Sequence, residues 1–210
     1  MEVEELLNLA TESERNLDYD KNGMLLLSKE NFEKIKEDYE SDFKQNSINK
    51  GEDIKAFVTR IAANNRTRTP QKAKDAIVEY INNNKEKFEK DIKNGSTDIV
   101  EDILDNEYEK VKRKDKSLVS KICRYTEGET EEPKFTIFDS ILKMVLPYYL
   151  DKEYDLDNYK QYVKAVNSLQ TSGLNIHQID FLLWKVYSAD EIRKVICKYL
   201  IKNGIRVSNE

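Results

Sequence analysis

Two residues have types and spacing that suit chemistry at an electrophilic carbon. Lys121 lies in LVSKICRY, a predicted helix, at the edge of the apolar arc beside Leu118 and Tyr125. Partial burial there would favour a neutral amine, which can attack carbon and form an imine. Asp139 follows 18 residues later, after the apolar pair Ile137-Phe138, where the next helix is predicted to begin. A carboxylate at that place can stabilise developing positive charge.

Both residues also have plain structural explanations. A lysine at the edge of an apolar face can lay its stem on the core while its head reaches water. Asp is a favoured helix N-cap, and its charge suits the helix dipole. Capping does not exclude catalysis, because the backbone amides hold the carboxylate in one direction. Chemical and structural roles therefore both stay open for Lys121 and Asp139.

The elements that must position this pair are helices. Apolar residues recur at helical spacing almost throughout, and 6 Gly and 3 Pro in 210 residues are too few for a protein of many short strands. We predict an all-α bundle of about ten helices in a single domain, 1–210, with possible lobes at 1–50 plus 130–210 and at 51–129. The predicted helices cover about 2–16, 29–46, 52–64, 70–92, 97–113, 116–126, from 139 to about 147, 155–170, 175–187 and 189–203.

Several local signals refine this pattern. Ser28, Thr69 and Ser96 are candidate N-caps, and Pro70 after Thr69 suits a first helical position. The apolar face of the helix over 97–113 includes Tyr108, and PKFTIFDS has room for a short extended piece. On the 116–126 helix, Ser120 and Arg124 are expected to point outward.

The charge of the chain is uneven. The formal net charge is −5, yet residues 51–125 carry 17 bases against 14 acids, a net +3. Solvated helix faces explain many such runs, but phosphate, if bound, should be bound in this part. The basic candidates are Arg60, Arg66, Arg68, Lys114, Lys116 and Arg124.

Several other chemistries lack support in the sequence. Cys123 and Cys197 stand apart, without the spacing of a zinc site or a disulfide framework, and we expect buried thiols. The single histidine, His177, is expected to be a surface or cap residue. The sequence shows no nucleotide-cradling glycine loop and no run of about 18 apolar residues, and its acidic start leads us to expect no signal peptide. We expect a cytoplasmic protein without metal, nucleotide or other cofactor.

The stretch VSKICRY…FTIFDSILK resembles the helix-hairpin-helix DNA glycosylase superfamily, in particular the small bacterial relatives in its 8-oxoguanine glycosylase branch. That family has a lysine in the second hairpin helix and an aspartate capping a later helix. The resemblance covers roughly residues 115–150, and IDFLLWKV (179–186) is similar to a further shared helix. Where the family usually has hairpin glycines, this chain reads KRKDKSLVSK, so Lys114 and Lys116 would supply the positive charge.

The resemblance implies a base-excision DNA glycosylase and AP lyase, a hydrolase and lyase of DNA repair, acting on an oxidised base in duplex DNA. Lys121 would form a Schiff base with the sugar, and Asp139 would stabilise charge on it. Aromatic residues would form the base pocket, namely Tyr125, Phe138, Tyr149 and Trp184, with Tyr148 beside them. The basic residues above would contact phosphates.

Two other hypotheses stay open. The chain could be a catalytically inactive helical module of the same fold that binds DNA or a protein, for example in phage defence or counter-defence. It could also be an unrelated helical interaction protein in which the spacing of Lys121 and Asp139 is coincidence. The overall negative charge and the missing hairpin glycines favour these alternatives.

Overall fold

The structure is a computed structural model that describes residues 16–65, 67–170, 173–202 and 204. Within those ranges it contains ten α-helices and no strand, apart from one isolated bridge between Tyr19 and Leu25. The all-α prediction is confirmed. The helices are α1 Lys29–Asn46, α2 Ile54–Asn64, α3 Gln71–Asn83, α4 Lys85–Asn94, α5 Asp98–Val111, α6 Lys116–Glu127, α7 Ser140–Tyr149, α8 Tyr159–Asn167, α9 Ile176–Tyr187 and α10 Asp190–Lys202.

The chain divides into two compact units. The central unit comprises Asp42–Phe138 and Asp157–Val163; the terminal unit comprises the chain up to Ser41, Asp139–Leu156 and the chain from Lys164. The limits fall inside α1, directly after Phe138, directly after Leu156 and inside α8, whereas the sequence suggested lobe limits at 50/51 and 129/130.

The central unit is built around α5 and α6. Helix α3 packs on α5, α2 packs on α3 and α6, and α4 packs on α5 and α6. Leu118, Val119, Ile122 and Cys123 of α6 are fully buried in this core. Burying each aliphatic side chain contributes on the order of 1.5–3 kcal/mol, so α6 is held firmly along its length.

The terminal unit packs α7 against α9 and α10, and α9 against α10. A capping box between Asn175 and Gln178 begins α9. The Tyr187 hydroxyl, near the end of α9, accepts a hydrogen bond from the Leu25 amide at 3.0 Å. This contact ties the segment before α1 to the helices that follow the central unit in sequence.

One predicted helix is in fact two. The sequence suggested a single helix over 70–92, but α3 ends and α4 begins around Asn84, whose backbone is not helical (φ −123°, ψ 31°). Its side-chain Nδ2 donates to the Tyr80 carbonyl at 2.9 Å. The Asn84 amide donates to the same carbonyl at 3.0 Å, so the residue closes α3 with both of its donors.

The predicted caps have mixed outcomes. Ser28 accepts from the Asn31 amide at 3.1 Å and begins α1 as expected. Thr69 is not a cap, because its hydroxyl donates to the buried Asp115 carboxylate, and Pro70 precedes α3 without a side-chain cap. Thr97 rather than Ser96 flanks α5.

Three further features complete the comparison. The first predicted helix, over about 2–16, lies outside the described residues except for its last position, because the description begins at residue 16. The segment over 133–138 has no strand. Among the described helices, none combines the length and the apolar character needed to cross a membrane.

Candidate functional site

Helices α5 and α6 form a hairpin, because they pack together and only the turn 112–115 joins them. The turn begins at Lys112, which takes a left-handed conformation with φ 55° and donates its amide to the Tyr108 carbonyl at 2.9 Å. Glycine is the usual residue at such a helix end, because it has no Cβ to clash. The hairpin therefore forms without the glycines typical of the resembling family.

The inside of this turn is filled by two carboxylates of the protein itself. The Asp115 amide donates to Glu107 Oε2 at 2.8 Å, and the Asp115 carboxylate accepts from the Leu118 amide at 3.1 Å and caps α6. Glu107 is 0% exposed. A phosphate would meet negative charge where the family's hairpin offers amides, so phosphate contacts here would depend on side chains.

Glu107 is an unusual carboxyl group. Burial raises its pKa to about 7, and the neighbouring Asp115 charge adds to this, while the amide of Asp115 and Arg113 oppose it. Its Oε1 has no hydrogen-bond partner among the described residues. The buried group is thus partly protonated near neutral pH.

Lys121 lies in the middle of α6 and is buried. The residue is only 8% exposed, and its Nζ donates to Ser117 Oγ at 3.0 Å, one helical turn earlier. Its neighbours Ser120 and Arg124, which the sequence predicted to point outward, are 0% and 2% exposed. The outward prediction was wrong, because α6 is enclosed on all sides and not only on its apolar arc.

A polar cluster of Asp42, Asn46 and Tyr125 joins the last turns of α1 and α6. The Asp42 carboxylate accepts from Tyr125 Oη at 2.9 Å and from Asn46 Nδ2 at 3.0 Å. Burial raises the pKa of Asp42, while the Tyr125 hydroxyl, Arg124, Asn46 and Lys121 oppose that rise.

The sequence analysis missed Asp42, although a signal was present. Asp42 follows the inward-facing Ile35 by seven positions, two helical turns, which places a carboxylate on the apolar stripe of α1. A charged residue on such a stripe is the pattern that could have identified it.

The segment 133–138 is held by side chains rather than by a strand partner. The Phe135 and Lys134 amides donate to Glu127 at the end of α6, and the Phe138 amide donates to Ser120 Oγ at 2.9 Å. Tyr159 and Tyr162 of α8 donate to the carbonyls of Thr136 and Ile137, both at 2.8 Å. The peptide that leads into Asp139 is therefore fixed on α6 and α8.

Asp139 is the N-cap of α7, as predicted. Its Oδ1 accepts from the Ile141 amide at 2.7 Å, so the carboxylate has a fixed direction. Asp139 is the first residue of its segment of the terminal unit, whereas Lys121 belongs to the central unit. That their side chains share one cleft stays a prediction.

The basic candidates have different environments. Arg60 is engaged inside the protein: its guanidinium contacts Glu52 at 2.6 and 2.9 Å and donates to the Gln45 and Ser47 carbonyls. Arg124 is buried, with its guanidinium over the rings of Phe43 and Tyr125. Arg124 is therefore not presented to a phosphate, which corrects that assignment. A quarter of the Arg60 side chain is exposed, but its donors are taken up by acceptors of the protein, which disfavours a phosphate contact.

The other basic candidates are nearer the surface. Arg68 is exposed and Arg66 lies outside the described residues. Lys114 is exposed and pairs with Asp105 at 2.5 Å. Lys116 donates to the Asp157 carbonyl and lies 5.3 Å above the Phe138 ring. Arg68, Lys114 and Lys116 stay candidates for phosphate contacts.

The aromatic candidates are also divided. Tyr125 is 2% exposed and packs on Phe43, so its ring has no face for a flipped base, which corrects that assignment. Phe138 is half-buried and packs on Tyr162. In the terminal unit, Tyr149 bonds Tyr187 and the Leu25 carbonyl, whereas Trp184 is 40% exposed.

Two remaining expectations can be compared with the structure. His177 is 2% exposed and Asn175 caps its helix, so the expected surface or cap role is wrong. Cys123 is buried as expected, whereas Cys197 is only half-buried. In the described ranges, no group of three His, Cys, Asp or Glu residues is placed to hold a metal ion.

Comparisons with known proteins add no assignment. No model of a known protein family matches the chain, and no significant match was found among curated proteins or solved structures.

Proposed function

We propose that the protein is a DNA-binding base-excision enzyme that acts on an oxidised base or an abasic site in duplex DNA through a lysine Schiff base. The observation that carries the proposal is the placement of Lys121. It lies buried in the second helix of a helical hairpin, and that same helix anchors the peptide leading into the capping Asp139. This arrangement agrees with the resemblance over residues 115–150.

The chemistry requires the neutral amine of Lys121. Its nitrogen would form a bond to the sugar C1′ as the glycosidic bond breaks and the base leaves with the electron pair. Loss of a proton from nitrogen and opening of the sugar ring would give the imine. Asp139, held by the Ile141 amide, would stabilise the positive charge on the sugar. The base must first leave the stack, at a cost of a few kcal/mol.

A borohydride trap tests this proposal. The protein is mixed with duplex DNA that contains 8-oxoguanine or an abasic site, and borohydride then reduces any imine to a stable amine. We expect a covalent adduct that disappears in Lys121→Ala and persists in Lys110→Ala. Lys110 is a matched control, because it is an exposed lysine of the same hairpin, in the last turn of α5, and pairs with Glu79 of α3. Absence of an adduct with either DNA overturns the enzymatic proposal.

A second candidate is a catalytically inactive binding module of the same architecture. The observation in its favour is the hairpin turn, where the Asp115 amide already donates to the Glu107 carboxylate and so is not available to a phosphate. Salt-sensitive retention on DNA without an adduct would support this candidate, because phosphate contacts release counterions. Absence of DNA binding at low salt would contradict both candidates and leave a protein-binding module.

A further inference from the structure

Tyr108, in the last turns of α5, is the exposed aromatic residue of the central unit. It is 48% exposed, and it is the one large apolar side chain that the described part of this unit opens to solvent. Its neighbour Glu107 is fully buried, and one oxygen of that carboxyl group has no hydrogen-bond partner among the described residues. Solvation favours the opposite order, with the ring inside and the carboxylate outside. Such local departures are typical of functional sites, so the Tyr108 ring is a candidate for a contact outside the chain.

The charges around Tyr108 are mostly positive. Residues 108–116 carry five bases and two acids, and one of the two acids, Asp115, is buried. The turn thus keeps its acid inside and presents only bases to solvent, namely Lys112, Arg113 and Lys114. Lys114 pairs with Asp105, whereas the Lys112 ammonium contacts only the Tyr108 ring in the described part of the chain.

The backbone fixes Lys112 beside this ring. Its amide donates to the Tyr108 carbonyl at 2.9 Å, and the residue takes its left-handed conformation at that point. The Lys112 ammonium lies 5.1 Å from the centre of the Tyr108 ring, and the Lys114 ammonium lies 5.9 Å from it. Two ammonium groups and an exposed aromatic ring therefore share one place on the surface of the hairpin.

We infer that Tyr108, Lys112 and Lys114 form a contact surface for a DNA strand with unpaired bases. One base stacks on the Tyr108 ring, and the two ammonium groups bind the neighbouring phosphates. Aromatic rings beside positive charge suit such strands, because every base has a π face and every nucleotide a phosphate. In an intact duplex the neighbouring bases cover those faces, so the surface fits DNA in which a base has left the stack.

The inference rests on the proposed function for its partner, DNA, but it does not involve the chemistry of Lys121. An acidic protein segment would also match the charge of the two lysines. It would carry no base to stack on Tyr108, and the ring and the charges are therefore tested separately.

The experiment is a binding titration of the full chain with a fluorescently labelled thymidine oligonucleotide of about eight nucleotides, followed by anisotropy. We expect Tyr108→Ala to weaken binding about tenfold, and Tyr108→Phe, which keeps the ring, to stay close to the wild type. Tyr154→Ala is the matched control, because Tyr154 is a half-exposed tyrosine whose ring lies 5.1 Å from the Lys152 ammonium. Its surroundings are acidic, with four acids and one base in residues 151–157, so its removal should leave the affinity unchanged.

A second strand separates stacking from charge. It has the same length and the same phosphates, but stable tetrahydrofuran units that cannot form an imine replace the nucleosides. Tyr108→Ala and the wild type should bind this strand equally, because it has no base to stack. Lys112→Gln should reduce the slope of log affinity against log salt by about 0.7 on both strands.

Three results would overturn the inference. They are equal affinity of Tyr108→Ala and the wild type for the thymidine strand, an equal loss on both strands, and no binding of either strand by the wild type at low salt. The borohydride trap reports separately on the proposed function. An effect of Tyr108→Ala without a trapped adduct would leave the contact surface standing and contradict the enzymatic proposal, and an adduct without that effect would do the reverse.

Discussion

The backbone amide of Asp115 donates to the buried carboxylate of Glu107 at 2.8 Å, and this contact closes the turn between α5 and α6. The acceptor is a side chain of the preceding helix, eight positions earlier. The contact explains how a hairpin without glycines holds its shape. It also places a titrating group inside the turn, because burial raises the pKa of Glu107 to about 7.

The first prediction concerns the pH dependence of stability. The pKa of Glu107 is higher in the folded protein than its ordinary value of 4.5, so the folded state binds more protons between about pH 4.5 and 7. Its contribution to the free energy of unfolding is therefore present below pH 4.5 and is lost as the pH rises through 7. The loss amounts to at most about 3 kcal/mol.

The variant Glu107→Gln tests this, because the amide cannot ionise and can still accept the Asp115 hydrogen bond. We expect the variant to match the wild type near pH 4.5 and to be more stable above pH 7. Denaturant titrations at both pH values measure the difference between the two proteins, which removes the contribution of other groups. Equal pH dependence in variant and wild type would contradict the prediction.

The second prediction concerns the left-handed residue that begins the turn. Both Lys112→Gly and Lys112→Ala remove the contact of the Lys112 ammonium with the Tyr108 ring at 5.1 Å. Only Gly relieves the clash of a Cβ at φ 55°. The Gly variant should therefore be more stable than the Ala variant by about 1 kcal/mol.

Lys110 supplies the control for Lys112, because it lies inside α5. There Gly should be less stable than Ala by about 1 kcal/mol, the usual order in a helix. Thermal unfolding of the four variants measures both differences. The same order of Gly and Ala at both positions would show that the backbone of Lys112 is not under strain.

The helix pattern was predictable because apolar spacing determines it. Helix α1 has the predicted bounds, and α6 differs from its prediction by one residue. The capping role of Asp139 followed from residue type and position alone. These features depend only on residues that are close together in the sequence, so one sequence is enough to predict them.

The polar interior was not predictable from local sequence. On α5, the pattern placed Tyr108 inward, yet Tyr108 is 48% exposed and Glu107 is buried. The reason is the amide of Asp115, a tertiary partner for Glu107. Arg60 likewise looked like a phosphate contact until its acceptors at Gln45, Ser47 and Glu52 were known. Partners distant in sequence decide such positions.

The third prediction concerns the peptide that leads into Asp139. Ser120→Ala removes the acceptor of the Phe138 amide, which should cost about 1–2 kcal/mol of stability because the amide is partly buried. Hydrogen exchange at the Phe138 amide should become faster. If the enzymatic proposal holds, adduct yield in the borohydride trap should fall as well, since Asp139 is the next residue.

Ser168→Ala is the control for Ser120→Ala, because Ser168 lies just after α8 and its hydroxyl bonds only the Ala165 carbonyl of that helix among the contacts described. That variant should leave exchange at Phe138 unchanged. Unchanged exchange in Ser120→Ala as well would mean that Tyr159 and Tyr162 suffice to hold the segment.

The fourth prediction separates two arginines that look alike in the sequence. Arg60 ties α2 to the end of α1 through the Gln45 carbonyl and to the turn between them through the Ser47 carbonyl and Glu52. Its hydrogen bond to Glu52 holds the pKa of that carboxyl below its usual range. Arg60→Gln should lower the free energy of unfolding by about 1–3 kcal/mol, because it leaves these acceptors without a charged donor. Stability from the depressed Glu52 pKa is present above about pH 4.5 and is lost as the pH falls below it.

Arg68 is exposed, so Arg68→Gln should leave stability unchanged. If the protein binds duplex DNA through this residue, the slope of log affinity against log salt should shrink by about 0.9 in Arg68→Gln. Arg60→Gln should keep the wild-type slope, because its guanidinium is already engaged inside the protein. Denaturant titration and DNA binding at several salt concentrations measure both effects. A reduced slope in Arg60→Gln at unchanged stability would return Arg60 to the phosphate contacts and contradict the internal role that its hydrogen bonds indicate.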